Sequence, residues 1–371
     1  MLNNNQHAFY ALIRAGLWGT EVRLKQYGEI NFIEIYKIAQ EQGVIGIIAE
    51  GVEHINDIKI PQDVALMFAG DILQIEQRNR SMNVFIAKMI EQLRKESVCA
   101  LLVKGQGIAQ CYNNPLWRSS GDIDLLLDKD SYVRAKTILL PMATNIDTEI
   151  KGELHQSLTI ESWAVELHGT LHSGLSHKID RSLDQIQKIV LEEGKCRIWD
   201  NEGVKVSLPR EDEDVLFVFT HFLKHFYKGG IGIRQICDWC RLLWKYRKSI
   251  DYCLLESRIQ SMGTMVEWKA FAAFAVRYLG MPSVAMPFYT NDIYWSRKAD
   301  VICSFVMEVG NLGHKRDTDY YNNYPYLIRK IISLFVRCTD ILHHSKIFPL
   351  NSFRYFSNIV WNGIKSAKDG V

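Results

Sequence analysis

The chain has 371 residues, 47% of them hydrophobic and 23% charged, so it is long enough for two or three domains and can bury a substantial core. Its 44 basic and 42 acidic side chains leave a net charge of only +2, which argues against a nucleic-acid partner because such domains are usually strongly basic. The apolar stretches, such as 44–48 and 216–219, are too short to span a bilayer, and the N-terminus lacks a signal-peptide pattern. We therefore expect a cytoplasmic protein.

Eight cysteines are scattered along the chain, and several lie inside apolar patterns typical of helices or strands. This distribution suits reduced, buried thiols better than a disulfide framework. Cys237 and Cys240 form a C-x-x-C pair, but there is no second pair and no thioredoxin-like strand before it. We expect these two thiols to serve packing.

The first 97 residues predict helices, because apolar residues such as Phe32, Ile35 and Ile38 recur at helical spacing. The pattern changes after Ser97. Residues 99–103 form a short apolar run that predicts a buried strand, and Lys104 and Gly105 predict the turn that ends it.

A mixture of helices and strands follows. The pattern predicts helices over 107–112 and 131–140, a strand over 123–127, one or two strands within 158–167 and a strand over 204–208. From Glu211 the pattern is helical again, with four acidic residues in the first turn, where they complement the helix dipole. This order predicts an α+β protein with a small mixed β-sheet core, residues 98–209, between helical regions 1–97 and 210–371.

Two carboxylates stand out on the strand over 123–127 and its entry. Side chains alternate along a strand, so Asp122 and Asp124 share one face while Ile123 and Leu125 point into the core. Two acids about 7 Å apart along one strand repel each other unless a cation lies between them. Hard oxygen ligands with phosphates completing the shell are the chemistry of a Mg²⁺ site.

A third carboxylate on a neighbouring strand would complete a site for phosphoryl displacement. Glu166 is the best candidate, because Val165 and Leu167 would face the core while Glu166 and His168 share the other face. Glu161 competes with it but lies at the apparent junction between two strands.

The Asp-x-Asp pair also has an ordinary explanation, since solvated strands often carry such pairs. Here the apolar residues 125–127 make the strand largely buried, so two ionised aspartates at its entry need compensation. The Lys104-Gly105 turn also brings backbone N–H groups to the same sheet edge. This context favours a metal site.

The core resembles the uncharacterised bacterial nucleotidyltransferase family, which belongs to the DNA polymerase β-type superfamily. The resemblance covers residues 70–245 and rests on Val103-Lys104-Gly105, Tyr112, Pro115 and Arg118-Ser119-Ser120-Gly121-Asp122-Ile123-Asp124. It implies a nucleotidyltransferase-type sheet, an NTP substrate, a Mg²⁺ or Mn²⁺ ion held by Asp122 and Asp124, and Glu166 at the third acidic position. The superfamily usually has Gly-Ser after the first strand, whereas this chain has Gly105-Gln106. Gln106 would then donate to a phosphate in place of serine.

Four other residues near this strand are candidate phosphate ligands. Gly105 permits a tight turn whose amides approach phosphate oxygens, although the glycine alone favours an ordinary strand-to-helix turn. Lys104 and Arg118 would contact phosphate as a point charge and a bidentate fork, or they are solvated surface charges. Ser120 would position the Asp strand or bind phosphate, or it is a turn residue before Gly121.

The helical region after 210 contributes further candidates. His221 and His225 lie one turn apart, a spacing that can bind zinc, but no third ligand is evident. Lys224 is the better candidate here, as a phosphate ligand in an H-x-x-K-H stretch similar to the family's, or the stretch is simply a partly buried polar helix face. Asp238 would act as a general base and Arg234 would contact nucleotide, or the two form a purely structural i,i+4 ion pair.

These residues predict metal-dependent transfer of an NMP group from an NTP to an unidentified hydroxyl acceptor. Two alternatives remain open. One is an inert module that binds a nucleotide or sugar without turnover. The other is a toxin–antitoxin-type transferase acting on RNA or protein, although the near-neutral charge disfavours RNA.

Overall fold

The architecture is that of a computed structural model, which describes residues 2–149, 154–310, 328, 332 and 341–368. Four helices come first: α1 (Asn4–Trp18), α2 (Phe32–Glu41), α3 (Ile45–Glu53) and α4 (Gln62–Lys95). Asn3 caps α1 through a capping box, and the Asn31 side chain accepts from two backbone N–H groups at the start of α2. The helical periodicity of the N-terminal sequence is therefore realised.

A seven-stranded mixed sheet forms the middle of the chain. Its strands are β1 (Leu101–Val103), β2 (Asp122–Leu126), β3 (Ala143–Ile146), β4 (His155–Ile160), β5 (Trp163–His168), β6 (Arg197–Asn201) and β7 (Val204–Leu208). Their order is β3-β4-β5-β2-β1-β7-β6, and β2 runs parallel to β5 and antiparallel to β1. Helices α5 (Gly105–Ala109), α6 (Lys129–Leu139) and α7 (His177–Glu193) lie between strands in sequence.

The C-terminal part is helical. It contains α8 (Glu211–Lys228), α9 (Ile233–Tyr246), α10 (Tyr252–Met262), α11 (Met265–Leu279), α12 (Ile293–Val309) and α13 (Pro349–Lys368), and residues 341–347 are also helical. The α+β class, with a mixed sheet between helical regions, is confirmed.

The helices from the two ends of the chain share one apolar core. Helix α1 packs on both α3 and α11, and Trp18 Nε1 donates to the Leu279 carbonyl at 2.6 Å. The proposed boundaries after residues 97 and 209 stay a prediction. Because the two flanking helical regions pack on each other, these boundaries refer to the sequence and not to separate bodies. Among the helices that the structure describes, none has the length and apolar character needed to cross a bilayer.

The cysteines that the structure describes are all free thiols, and Cys338 lies outside the described residues. Cys237 and Cys240 are fully buried in the α9 core, and burial raises the pKa of both thiols. The packing role predicted for this pair agrees with that environment.

The two faces of the sheet have different surroundings, which positions the acidic residues. Ile123 and Leu125 point to a face covered by α4 and α6, where they join a core with Ile86 and Leu139. The opposite face carries Asp122 and Asp124, and its apolar members, such as Leu126, join the large core formed with α8 and α9. The strand alternation predicted from sequence is thus confirmed.

Candidate active site

The parallel pairing of β2 with β5 brings three carboxylates together. Asp124 lies directly opposite Glu166 in the register, and Asp122 lies two residues away on the same face. One oxygen from each of these side chains lies within 4.8 Å of the other two. Glu161 instead occupies the turn between β4 and β5 with a φ of 55°, so Glu166 is the acid that joins the aspartates.

The three acids sit in unequal environments. Asp124 is 1% exposed, whereas Asp122 lies at the solvent-exposed start of β2. The adjacent Asp124 carboxylate is the main reason that the pKa of Asp122 lies above its ordinary value. Burial alone would raise the pKa of Asp124, but Lys104 and His168 outweigh that effect and keep it below its ordinary value. The cluster therefore holds excess negative charge at its open end.

Lys104 lies at the acid cluster. Its Nζ donates to Asp124 Oδ1 at 2.7 Å, and its backbone adopts a positive φ of 59° at the start of α5. Burial opposes the charged ammonium, but Asp124 and Asp122 together raise the pKa of Lys104 above its ordinary value. This candidate phosphate ligand is thus a fixed positive charge within the cluster.

Two histidines complete the inner surface. His168 Nε2 lies 2.8 Å from Asp124 Oδ1 and 3.3 Å from Glu166 Oε2, and His155 Nε2 lies 3.4 Å from the same Glu166 oxygen. The two imidazole rings stack with centroids 4.8 Å apart. Hydrogen bonds from His155 and then His168 hold the pKa of Glu166 well below its ordinary range. Sequence reasoning placed His168 on this face but missed His155.

A buried ion pair lies beside the loop that leads into β2. Arg118 donates from Nε and Nη2 to the two oxygens of Asp238 at 2.8 and 2.7 Å, and Tyr112 donates its hydroxyl to Asp238 Oδ1 at 2.8 Å. Arg118 Nη1 also donates to Ser120 Oγ at 2.8 Å. Both oxygens of Asp238 are therefore occupied, which describes an anchoring group rather than an unengaged base.

Arg234 is directed to the same loop. Its Nη1 donates to the Ser119 carbonyl at 2.7 Å, so it does not take the predicted place as the ion-pair partner of Asp238, which Arg118 fills instead. Arg118, Arg234 and Ser120 all hold the segment immediately before Asp122. They therefore fix the backbone that leads into β2, the strand that carries Asp122 and Asp124.

The turn after β1 differs from the expectation for Gln106. Its side chain is buried against α4, where Nε2 donates to Asn79 Oδ1 at 2.8 Å and lies 3.4 Å from Met82 Sδ, a member of the core that covers the face opposite the acids. The Gln106 side chain is thus not placed to donate to a phosphate at the acid cluster. Gly105 has a φ of 42°, and a Cβ there would meet the Asp122 carbonyl at 3.3 Å, so the turn passes close to β2.

His221 and His225 form a close pair on α8, with Nε2 atoms 3.1 Å apart. Burial, followed by the nearby Lys104, lowers the pKa of His221 well below its ordinary value; burial and Lys224 lower the pKa of His225 to about 4. Within the described part of the chain, no group of three metal-binding side chains includes either histidine. Lys224 lies between them on the same helix.

Comparison with known proteins agrees with this geometry. A family model described as uncharacterised nucleotidyltransferase matches residues 28–280, and the chain therefore belongs to that family. The match spans both β2 and β5, which supply the acids, and α9, which supplies Asp238. Searches of curated proteins and of solved structures gave no match.

Proposed function

We propose that this nucleotidyltransferase transfers an NMP group from an NTP to a hydroxyl acceptor, using a Mg²⁺ or Mn²⁺ ion bound by Asp122, Asp124 and Glu166. The observation that carries the proposal is the convergence of three carboxylates from two parallel strands to within 4.8 Å. Family membership supports nucleotidyl transfer in general. We further propose which ion is bound, that the donor is an NTP and that the acceptor is a hydroxyl.

The donor set fits a hard divalent cation. Carboxylate oxygens are the ligands that Mg²⁺ prefers, and it usually takes them together with water and substrate phosphates. Both hydrogen bonds from Lys104 and His168 reach Oδ1 of Asp124, so Oδ2 is left for a cation. The pKa of Asp122, raised mainly by Asp124, marks negative charge that a cation would compensate.

The residues of the chain have distinct roles in this proposal. A bound cation would neutralise charge on the triphosphate. Asp122 and Asp124 would act on the triphosphate only by holding that cation, and Lys104 adds positive charge beside them. Glu166 stays ionised because the two histidines donate to it, so it remains available as the third carboxylate ligand of the cation.

The transfer balances as one substitution at phosphorus. The acceptor oxygen forms a bond to the α-phosphorus, the bond from that phosphorus to the bridging oxygen breaks, and pyrophosphate leaves with the electron pair. The hydroxyl proton passes to solvent. The buried Arg118–Asp238 pair acts only by holding the loop before Asp122.

The test measures nucleotide binding without needing the acceptor. Thermal unfolding is recorded with each of the four NTPs, with and without Mg²⁺, for wild type, Asp124→Asn and the control Glu161→Gln. Glu161 is a carboxylate of the same β4–β5 hairpin that lies outside the cluster. A ligand at 100 times its Kd stabilises by about 2.7 kcal/mol. We expect this Mg²⁺-dependent shift in wild type and Glu161→Gln only.

Equal shifts in all three proteins would overturn the proposed metal site. Pyrophosphate released during incubation with NTP and Mg²⁺ supports transfer, whereas nucleotide binding with no pyrophosphate in the presence of a panel of hydroxyl acceptors would favour the inert binding module. Label from [α-³²P]NTP appearing on a macromolecule would instead identify a transferase acting on RNA or protein.

A further inference from the structure

A second set of metal-binding side chains lies beside the three acids. His155, Glu166 and His168 also place one ligand atom each within 4.8 Å of one another. They come from adjacent antiparallel strands, because His155 lies opposite His168 in the pairing of β4 with β5. Glu166 belongs to both sets.

From this geometry we infer that His155, His168 and Glu166 form a separate site for a transition-metal cation of the zinc class, adjacent to the proposed Mg²⁺ site. Two imidazoles and one carboxylate with a position left for water or substrate make up a ligand set that catalytic zinc sites use. The inference does not depend on nucleotidyl transfer. It concerns which cations the cluster selects.

The distances agree with that assignment. Bonds of about 2.0–2.1 Å in a tetrahedral zinc site put neighbouring ligand atoms about 3.4 Å apart. Nε2 of His155 and of His168 lie 3.4 and 3.3 Å from Glu166 Oε2. In both histidines, Nε2 is therefore the ring nitrogen that is directed at Glu166 Oε2.

The ring arrangement is fixed before any cation binds. His155 and His168 stack at 4.8 Å with planes 30° apart, and the exposed fraction of each side chain is only 29% and 11%. Each nitrogen binds a cation unprotonated, so the proton on Nε2 moves to Nδ1 or leaves to solvent. His168 then exchanges its hydrogen bond with Asp124 for the metal bond.

The chemistry separates this site from its neighbour. Imidazole nitrogen suits zinc, cobalt and copper, whereas Mg²⁺ takes oxygen ligands. A transition metal should therefore occupy the histidine site even when Mg²⁺ is present in excess. A cation there would also hold Glu166 in place for the neighbouring site.

The test uses Co²⁺ as a spectroscopic probe on the full chain, without nucleotide. We expect one equivalent of Co²⁺ to give the visible absorption of a four- or five-coordinate site, displaced by one equivalent of Zn²⁺ and not by excess Mg²⁺. His155→Gln should weaken Co²⁺ binding at least about 100-fold, because loss of even an outer hydrogen-bond partner costs 10–100-fold. The control His172→Gln removes another imidazole that contacts an acid, with Nε2 2.7 Å from Asp184 Oδ1, and should change nothing.

Two further measurements keep the result interpretable. Asp122→Asn should retain Co²⁺ binding while losing the Mg²⁺-dependent nucleotide shift, so failure of this inference and failure of the proposed function are distinguishable. Zinc-edge X-ray absorption of the loaded wild type should show two imidazole nitrogens, a result that does not depend on any variant folding. Co²⁺ affinity unchanged in His155→Gln, or a zinc shell with fewer than two imidazoles, would overturn the inference.

Discussion

Replacing Asp238 by Asn should lower the free energy of unfolding far more than the same replacement of a surface aspartate that also binds one arginine and one tyrosine. Asp238 accepts two hydrogen bonds from Arg118 and one from Tyr112, and the exposed fractions of the ion-paired side chains are 7% and 8%. The substitution leaves the Arg118 guanidinium buried without a counter-charge. Breaking such a pair costs about 3–5 kcal/mol, because water cannot replace the lost partner.

The chain provides a matched control in Asp300. It accepts from Arg277 and from the Tyr278 hydroxyl, but the side chains of that ion pair are 52% and 45% exposed. Because exposed pairs contribute about 0–1 kcal/mol, Asp300→Asn should cost less than about 1 kcal/mol. The two substitutions therefore differ in burial rather than in the pattern of contacts.

Urea unfolding monitored by tryptophan fluorescence would measure the free energy of each variant. The double variant Arg118→Met/Asp238→Asn should recover at least about 1.5 kcal/mol relative to Asp238→Asn, since it removes the stranded charge. The reasoning fails if Asp238→Asn and Asp300→Asn cost the same, or if the double variant is no more stable than Asp238→Asn.

Two further predictions concern packing and pH. Gly51→Ala should destabilise by about 1–3 kcal/mol in urea unfolding, because its Cβ would lie 2.1 Å from the Leu12 carbonyl where α3 meets α1. A Cβ added at Gly70 in α4 meets nothing within 4 Å, so Gly70→Ala should stabilise the protein by about 0.5–1 kcal/mol. A lower free energy of unfolding in both variants would contradict this account. His225 titrates at about 4 when folded and near 6.5 when unfolded, so the unfolded state binds more protons and stability should fall as pH drops from 6.5 to 4. That fall amounts to no more than about 3 kcal/mol from this group and should shrink in His225→Gln, while an unchanged pH profile would refute the assignment.

The sequence was most informative where structure depends on local alternation. Asp122 and Asp124 share a face because the period of a strand is two. The same rule placed Glu166 on the other face of its strand from Val165 and Leu167. Their convergence additionally required β2 to pair with β5 in register. Strand order and register depend on long-range contacts, so the residues alone gave only the candidates.

Among the strands and α-helices of the described residues, β3, α7 and β6 lie where neither a strand nor a helix was predicted. Strand β3 is mostly exposed and is held by pairing with β4, so it lacks an apolar pattern. Helix α7 carried a readable signal that was overlooked, with a Ser176 cap and buried Ile179, Leu183 and Ile186 at helical spacing.

Contacts between distant residues account for the other differences. Arg118 and Asp238 are 120 residues apart, so i,i+4 spacing suggested Arg234 as the partner instead. Gln106 follows the turn glycine as a serine would, but its side-chain amide donates to Asn79 on α4 instead of lying at the acids. His155 could have been found from the alternation over β4, where it shares a face with Ser157 and Thr159.

The most direct test of the central claim is the position of a metal in crystals grown with Mn²⁺ and a non-hydrolysable NTP. Anomalous scattering locates Mn²⁺ without ambiguity. We predict a peak bonded to oxygens of Asp122, Asp124 and Glu166 that also contacts the triphosphate. Nucleotide bound elsewhere, or Mn²⁺ bound away from these aspartates while Lys104 keeps its contact with Asp124, would contradict the account.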